Sequence, residues 1–259
     1  MEYLHFDLPM RQVTLYPLGD WHYGSPQCKE EYIRSIVKEI AANDNARWFG
    51  MGDLIENAII GSKSDTYKEL MSPRAQIEAV VKILAPIKDK CLFLLPGNHE
   101  ERTMRVVGLH PDEHMAFQLN TTFCEYSCLF TLDLTKAKTP RSFSVYVHHN
   151  TGGGYSAGGK VNAASKLRQI CPTVDATFSA HTHTSSRMPV TWYEPGYKKS
   201  IKKTGYDYVI GSTLTWDKSY AEEKAKRPST VEHIKVTFVG ATSGKSDNRK
   251  QIYEVIQDN

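Results

Sequence analysis

The chain has 259 residues, 40% of them hydrophobic, five cysteines and a formal net charge of +3. This is enough apolar material for one large domain spanning 1–259, and too little net charge to imply a nucleic-acid partner by itself. An odd cysteine count without a C-x-x-C pair argues against a disulfide framework or a zinc ribbon, and no run approaches the roughly 18 apolar residues of a membrane-spanning helix.

In chain order, residues 11–18 read as a strand ending at Gly19-Asp20, and 29–42 as a helix with Ile33, Ile36, Val37 and Ile40 on one face. Residues 47–51 form a short strand ending at Gly52-Asp53. Residues 66–87 read as helical with a break near Pro73, and 91–95 as a buried strand ending at Pro96-Gly97-Asn98-His99. This β-α-β-α-β order predicts a parallel sheet with helices outside it. Strands at 123–134 and 143–148 follow, joined by a turn around 136–141. A glycine-rich loop at 152–159, a helix at 162–170 and a strand at 176–180 come next. Residues 187–193, 206–210 and 231–239 complete a sheet, while 222–227 and 242–250 are polar and read as loops. The start MEYLHFDLPMRQ has no secretory pattern and the end IYEVIQDN no lipidation motif, so the expectation is a cytoplasmic protein without membrane association.

Five segments put metal-ligating residue types where a strand is about to end: Gly19-Asp20-Trp21-His22, Gly52-Asp53, Gly97-Asn98-His99-Glu100, His148-His149 and His181-Thr182-His183. The carboxyl ends of strands in an open α/β sheet line a common crevice, so residues far apart in sequence can converge there. Imidazole favours zinc, iron or manganese, and carboxylate or amide oxygen suits harder ions. An aspartate's two oxygens can bridge two ions, and the preceding glycines permit a tight turn.

This series resembles the calcineurin-like metallophosphoesterase family: GD-x-H at 19–22, GD at 52–53, GNHE at 97–100, a histidine at 148 and H-x-H at 181–183, in the family's order. The resemblance implies a four-layer αββα sandwich, two mixed sheets between helices. It implies that Asp20, His22 and His183 hold one divalent ion and Asn98, His148 and His181 a second, with Asp53 bridging. Manganese is the first expectation, with iron, zinc and nickel compatible. His99 would contact phosphate and protonate the leaving oxygen. His148 and His149 compete for one ligand role, because strand alternation points them in opposite directions. His148, the first residue after the apolar run, is taken as the ligand, and His149 as a substrate contact. Two departures stand out. Tyr23 separates His22 from Gly24, and Gly-Asp-Leu-Ile-Glu-Asn lacks the arginine of protein phosphatases, which lowers that class.

The implied reaction is phosphodiester hydrolysis. Two divalent ions clamp phosphate oxygens and acidify a water to a pKa of about 7. Nucleic acid or nucleotides rank first as substrate, ahead of cyclic nucleotides, other small diesters and monoesters. Lys198, Lys199, Lys202 and Lys203 among Trp192, Tyr193, Tyr197 and Tyr206 lean toward nucleic acid, although a solvated hairpin tip carries the same pattern. The segment 154–160 imitates a P-loop, but Val161 replaces its magnesium-binding hydroxyl; Lys160 is retained as a substrate contact. His5, His110, His114 and His233 fit no motif. Asn150 reads as a turn or a substrate contact, Glu56 as solvated or paired, and Glu100 as solvated or orienting a ligand. The rival class is a binding scaffold of the same fold, against which the retention of all seven ligand types argues.

Overall fold

The structure, a computed structural model, describes residues 1–62, 64–135, 141–149, 152–153, 156–225, 228, 230–240 and 250–258. The strand β1 (Glu2–Leu8) opens the chain, followed by β2 (Gln12–Leu18), α1 (Glu30–Ala42), β3 (Ala46–Gly50), α2 (Pro73–Leu84) and β4 (Cys91–Leu94). Then come α3 (Glu100–Val107), α4 (Pro111–Leu119), β5 (Thr122–Phe123), β6 (Ser127–Leu134), β7 (Arg141–His148), α5 (Ala157–Ser165) and β8 (Ala176–Ser179). The chain closes with β9 (Ser186–Gly196), β10 (Lys199–Val209), α6 (Tyr220–Glu223), β11 (Glu232–Val239) and β12 (Lys250–Gln257).

The strands build two mixed sheets, six strands each among the described residues, ordered β12-β11-β2-β3-β4-β5 and β1-β6-β7-β8-β10-β9. In the first, β2 to β5 run parallel, as the β-α-β-α-β reading predicted, β11 runs antiparallel beside β2, and β12 runs antiparallel to β11 at the edge. In the second, β7, β8 and β10 run parallel, flanked by antiparallel partners.

Alternation along the strands explains the layers. Val13 and Leu15 of β2 and Phe49 of β3 point into the core between the sheets, where Phe130, Val145, Val147 and Phe178 meet them from the other side. Phe49 stacks on Phe93 at 5.2 Å and takes edges from Phe130 at 5.9 Å and Phe178 at 5.4 Å. Such pairs add about 0.5–1.5 kcal/mol each beyond area burial. The alternate residues Tyr16, Leu18 and Trp48 face outward and are covered by Ile33, Ile36, Val37 and Ile40 of α1 and Val80 and Ile83 of α2. On the far side, Tyr146 of β7 packs with Leu167 and Val174 beyond α5. The four-layer αββα sandwich is therefore present.

Several elements depart from the reading by sequence. The helix expected over 66–87 starts only at Pro73, capped by Ser72 Oγ, which accepts from Ala75 N, because a residue before proline is driven out of helical conformation. It gives way to a 3-10 turn at Ala85–Lys90. The helix expected at 162–170 starts five residues earlier, at Ala157, and tightens to 3-10 at Lys166–Gln169. The strands at 187–193 and 206–210 lengthen into an 11-residue antiparallel pair. Strands β1 and β12 and helices α3 and α4 have no counterpart among the predicted elements. The turn at 136–140, Asn150, Gly154, Tyr155 and 242–249 lie outside the described residues. No described helix is long and apolar enough to cross a membrane.

Candidate metal centre

The loops leaving β2, β3 and β4 in one sheet and β7 and β8 in the other meet at one edge of the sandwich. The first two loops pair as a short continuation of the sheet: Asp20 N donates to Gly52 O at 3.0 Å, and Trp21 N and His22 N both donate to Asp53 O at 2.9 and 3.0 Å. The β4 loop closes against them through two glycines. A Cβ on Gly52 would stand 2.2 Å from Gly97 N, and one on Gly97 would stand 2.1 Å from Asp53 Oδ1. The loop after β8 joins the sheets, since His181 N donates to Asp20 Oδ2 at 2.9 Å.

Asp20, His22, Asp53, His181 and His183 all have left-handed backbone, with φ of 50°, 48°, 51°, 70° and 51°. Aspartate and histidine tolerate that region better than branched residues, but it is uncommon and stores strain that the surroundings must hold. In both Asp20-x-His22 and His181-x-His183 the repeated twist turns two side chains separated by one residue into a common space.

Side-chain donors converge there in overlapping groups. Asp20, His22 and His183 form one; His22, Asp53 and His99 a second; Asp53, His149 and His181 a third. Within them, His22 Nε2 is 3.1 Å from His183 Nε2 and 3.9 Å from Asp53 Oδ2, and His183 Nε2 is 3.8 Å from Asp20 Oδ1. Asn98 Oδ1 lies 2.6 Å from His181 Nδ1 and 3.1 Å from His149 Nε2.

The seventh predicted ligand needs correction. His148 is the last residue of β7 and falls in phase with Tyr146, on the helix-covered face. His149 continues the inward face of Val145 and Val147, and its Nε2 lies 3.3 Å from Asp53 Oδ2. The imidazole within reach of Asp53, Asn98 and His181 is thus that of His149, which the sequence reading had assigned to substrate. Lys160 Nζ donates to Thr184 Oγ1 at 2.8 Å, beside His183 at the rim.

The donor set fits cations. His149 Nδ1 donates to Met51 O at 2.6 Å, so in its neutral form Nε2 presents a lone pair to Asp53 Oδ2 and Asn98 Oδ1, which are themselves acceptors. His22 repeats the pattern: Nδ1 donates to Glu56 Oε2 at 3.0 Å, and Nε2 faces His183 and Asp53. Nitrogen and oxygen lone pairs turned on one another in a buried space require positive charge between them. Bound protons answer the same need. Burial opposes charging His149, but Asp53, Asp20 and the Met51 carbonyl carry its pKa up to about 10. His22, likewise opposed by burial, is carried by Glu56, Asp53 and Asp20 to about 9. For Asp53 burial works against ionisation, and the surrounding histidines outweigh it, holding the carboxyl well below the ordinary aspartate value.

Several supporting residues escaped the sequence reading or were left open by it. Glu100 is fully buried and its carboxylate accepts from Asp53 N at 2.8 Å, Gly97 N at 3.0 Å and Ile55 N at 3.1 Å. It therefore ties the backbone of two donor loops. Glu56 holds His22 with its carboxylate and His99 with its carbonyl, which accepts from Nδ1 at 2.7 Å. Asn57, also fully buried, donates to His99 O at 2.6 Å. His233 Nε2 lies 2.9 Å from Gly19 O, supporting the first loop from behind. The lysine and aromatic segment stands away from this edge. Tyr193 pairs with Lys202, seven residues along the hairpin from Ser186–Val209, or roughly 23 Å by strand rise.

No family model matches the sequence, and no curated protein matches it. Solved structures match its fold. A putative 5'-nucleotidase from Staphylococcus aureus aligns at a TM-score of 0.50 and 10% identity, over 95% of this chain and 54% of the nucleotidase. The chain thus spans about half of that enzyme's length. The calcineurin-like phosphoesterase YfkN from Bacillus subtilis aligns at a TM-score of 0.48 and 12% identity, over 95% of this chain and 91% of YfkN. At these identities the likeness concerns the fold alone. The chain shares the fold of that nucleotidase, and its two mixed sheets between helices form the αββα architecture that the motif series implied.

Proposed function

We propose that this chain is a phosphoesterase working with two divalent ions, manganese first among them, and that its substrates are phosphodiesters of the nucleotide or nucleic-acid class. The observation that carries the reading is the convergence of Asp20, His22, His183, Asp53, Asn98, His149 and His181, with lone pairs facing lone pairs around Asp53. Asp20, His22 and His183 would hold one ion and Asn98, His149 and His181 the other, with Asp53 between them. Bound there, such ions supply positive charge to phosphate oxygens and lower the pKa of water into the neutral range.

The chain's own groups do the rest. Glu56 and the Met51 carbonyl fix the protonated nitrogens of His22 and His149 and so aim the other ring nitrogen of each inward. His99 directs Nε2 toward the cluster, 3.9 Å from Asp53 Oδ2, while Nδ1 stays on the Glu56 carbonyl. Donating a proton from Nε2 therefore requires the charged ring. Burial keeps that form unfavourable, with a pKa near 4. A phosphate anion at Nε2 acts in the opposite sense, and the Glu56 carboxylate 3.5 Å from Nδ1 adds to it. His99 then protonates the leaving oxygen.

The hairpin of β9 and β10 supports a polymeric substrate. Tyr193 and Tyr197 are 66% and 88% exposed beside Lys202 and Lys198, offering stacking and phosphate pairing on the outer half of a hairpin whose first residue, Ser186, follows His183 by three positions. The test is an assay of manganese-loaded protein on single-stranded DNA, duplex DNA, RNA, cyclic nucleotides and phosphomonoesters. Fastest turnover on a nucleic acid or nucleotide diester is expected. Faster monoester hydrolysis would overturn the diester assignment, and a metal-loaded protein inert on all of them would overturn the enzyme.

A further inference from the structure

The loop after β3 reads Glu56-Asn57 where a cation would reach phosphate in protein phosphatases, and Asn57 cannot replace it. Its side chain is fully buried and turned back on His99 O and Thr103 Oγ1, at 2.6 and 2.9 Å. A cation from another element stands beside His99. Arg102 lies on α3, three residues past its N-cap His99, so the two side chains share one face of that helix's first turn. Its Nη1 donates to Glu56 O at 3.1 Å and to Ser64 Oγ at 2.9 Å. That Glu56 carbonyl is the one His99 Nδ1 also uses, so guanidinium and imidazole are pinned to a single oxygen.

We infer that Arg102 binds a phosphoryl oxygen of the substrate beside His99. The inference rests on the phosphoesterase reading above. Arginine presents five N–H donors in a rigid planar fork. The protein uses only Nη1, and among the described residues Nε and Nη2 have no hydrogen-bond partner. The side chain is 18% exposed, too little for a solvated surface arginine and enough to leave an edge open. Glu56, with Oε1 3.9 Å away, keeps the fork aligned without taking it up in a two-point ion pair. Two donors on the free edge match the spacing of two phosphate oxygens. A purely structural arginine, tying α3 to the segment at 56–64, would need only the bonds that Nη1 makes.

The test uses R102Q and R102K with manganese-loaded protein and inorganic phosphate as the probe. Glutamine keeps a donor for the Glu56 carbonyl but removes the charged fork. R102Q is expected to weaken competitive inhibition by phosphate about 10- to 100-fold, the worth of a charge-assisted hydrogen bond, at unchanged metal content and melting temperature. R102K should recover part of that loss, and guanidinium ion should restore turnover to R102Q. Wild-type phosphate inhibition in R102Q overturns the inference, as does loss of metal or of fold stability in both variants, which would make the role structural. A wild-type protein that binds two ions yet hydrolyses no phosphoester overturns the parent reading instead, and is recognised before any variant is made.

Discussion

Removing the Glu100 carboxylate should cost stability before it costs chemistry. Three buried backbone donors, on Asp53, Gly97 and Ile55, end on its two oxygens. In Glu100→Ala all three lose their acceptor in a site that water does not reach. An unsatisfied buried donor costs about 1–3 kcal/mol, so the loss should be at least about 3 kcal/mol. Part is offset, because burial and the charge on Asp53 make Glu100 itself reluctant to ionise, raising its pKa. Glu100→Gln is the sharper variant. Oε2 serves Asp53 and Gly97 while Oε1 serves Ile55. A glutamine that puts its oxygen in the Oε2 position keeps two bonds and sets its NH2 against the Ile55 N–H. Its cost should be about 1–3 kcal/mol, the price of one donor. For a chain of this size each kcal/mol lowers the melting temperature by about 2–4 °C. Thermal unfolding of chelator-treated protein should rank wild type above E100Q above E100A, with E100A about 6–12 °C below wild type. An E100A melting within 2 °C of wild type would refute the reasoning, since the three donors would then have found other partners.

Four further outcomes follow from the site. His149→Ala should lose at least one ion per chain by elemental analysis, with affinity falling by more than the roughly 10–100-fold typical of residues that merely orient a ligand, while His148→Ala keeps both; the reverse would return the ligand role to His148. Gly97→Ala puts a Cβ 2.1 Å from Asp53 Oδ1 and 2.3 Å from Asp53 N, so it should abolish metal binding and lower the melting temperature; a metal-replete G97A would contradict the close approach. Metal must displace protons from His149 and His22, whose pKa values stand at about 10 and 9, so apparent affinity should rise about tenfold per pH unit per proton up to that range. Because both values are raised above the ordinary 6.5, their contribution to the metal-free fold is complete below about pH 6.5 and is lost as pH climbs through 9 to 10. Calorimetry at pH 7 in buffers of different ionisation enthalpy should register proton release, and none would count against these assignments. Finally, His99→Ala should slow esters with poor leaving groups far more than nitrophenyl esters, and equal losses would remove its acid role.

The strand ends and the histidine, aspartate and asparagine donors gathered at them were legible because the apolar runs stop where those residues begin. Leu18, Met51, Leu95 and Ala180 each sit just before a glycine, proline or histidine that leaves the sheet. The phase of Val145 and Val147, continued one step, already turns residue 149 inward and residue 148 outward. Other features lie beyond one-dimensional reading. Glu56 and Glu100 look like any surface acid until the fold brings the His22 ring onto Glu56 and three backbone N–H groups onto Glu100. Strand β1 alternates apolar and polar residues at the sheet edge, a weak pattern that its pairing with β6 stabilises. Helix α3 is mostly polar, with Glu100 its one buried residue, so no apolar stripe announces it.

The most direct test of the metal-centre account is a crystal of manganese-loaded protein measured at the manganese absorption edge. Two anomalous peaks about 3.5–4 Å apart, on either side of Asp53, with His149 and not His148 at one of them, are expected. No peak beside Asp53 in fully loaded crystals would contradict it.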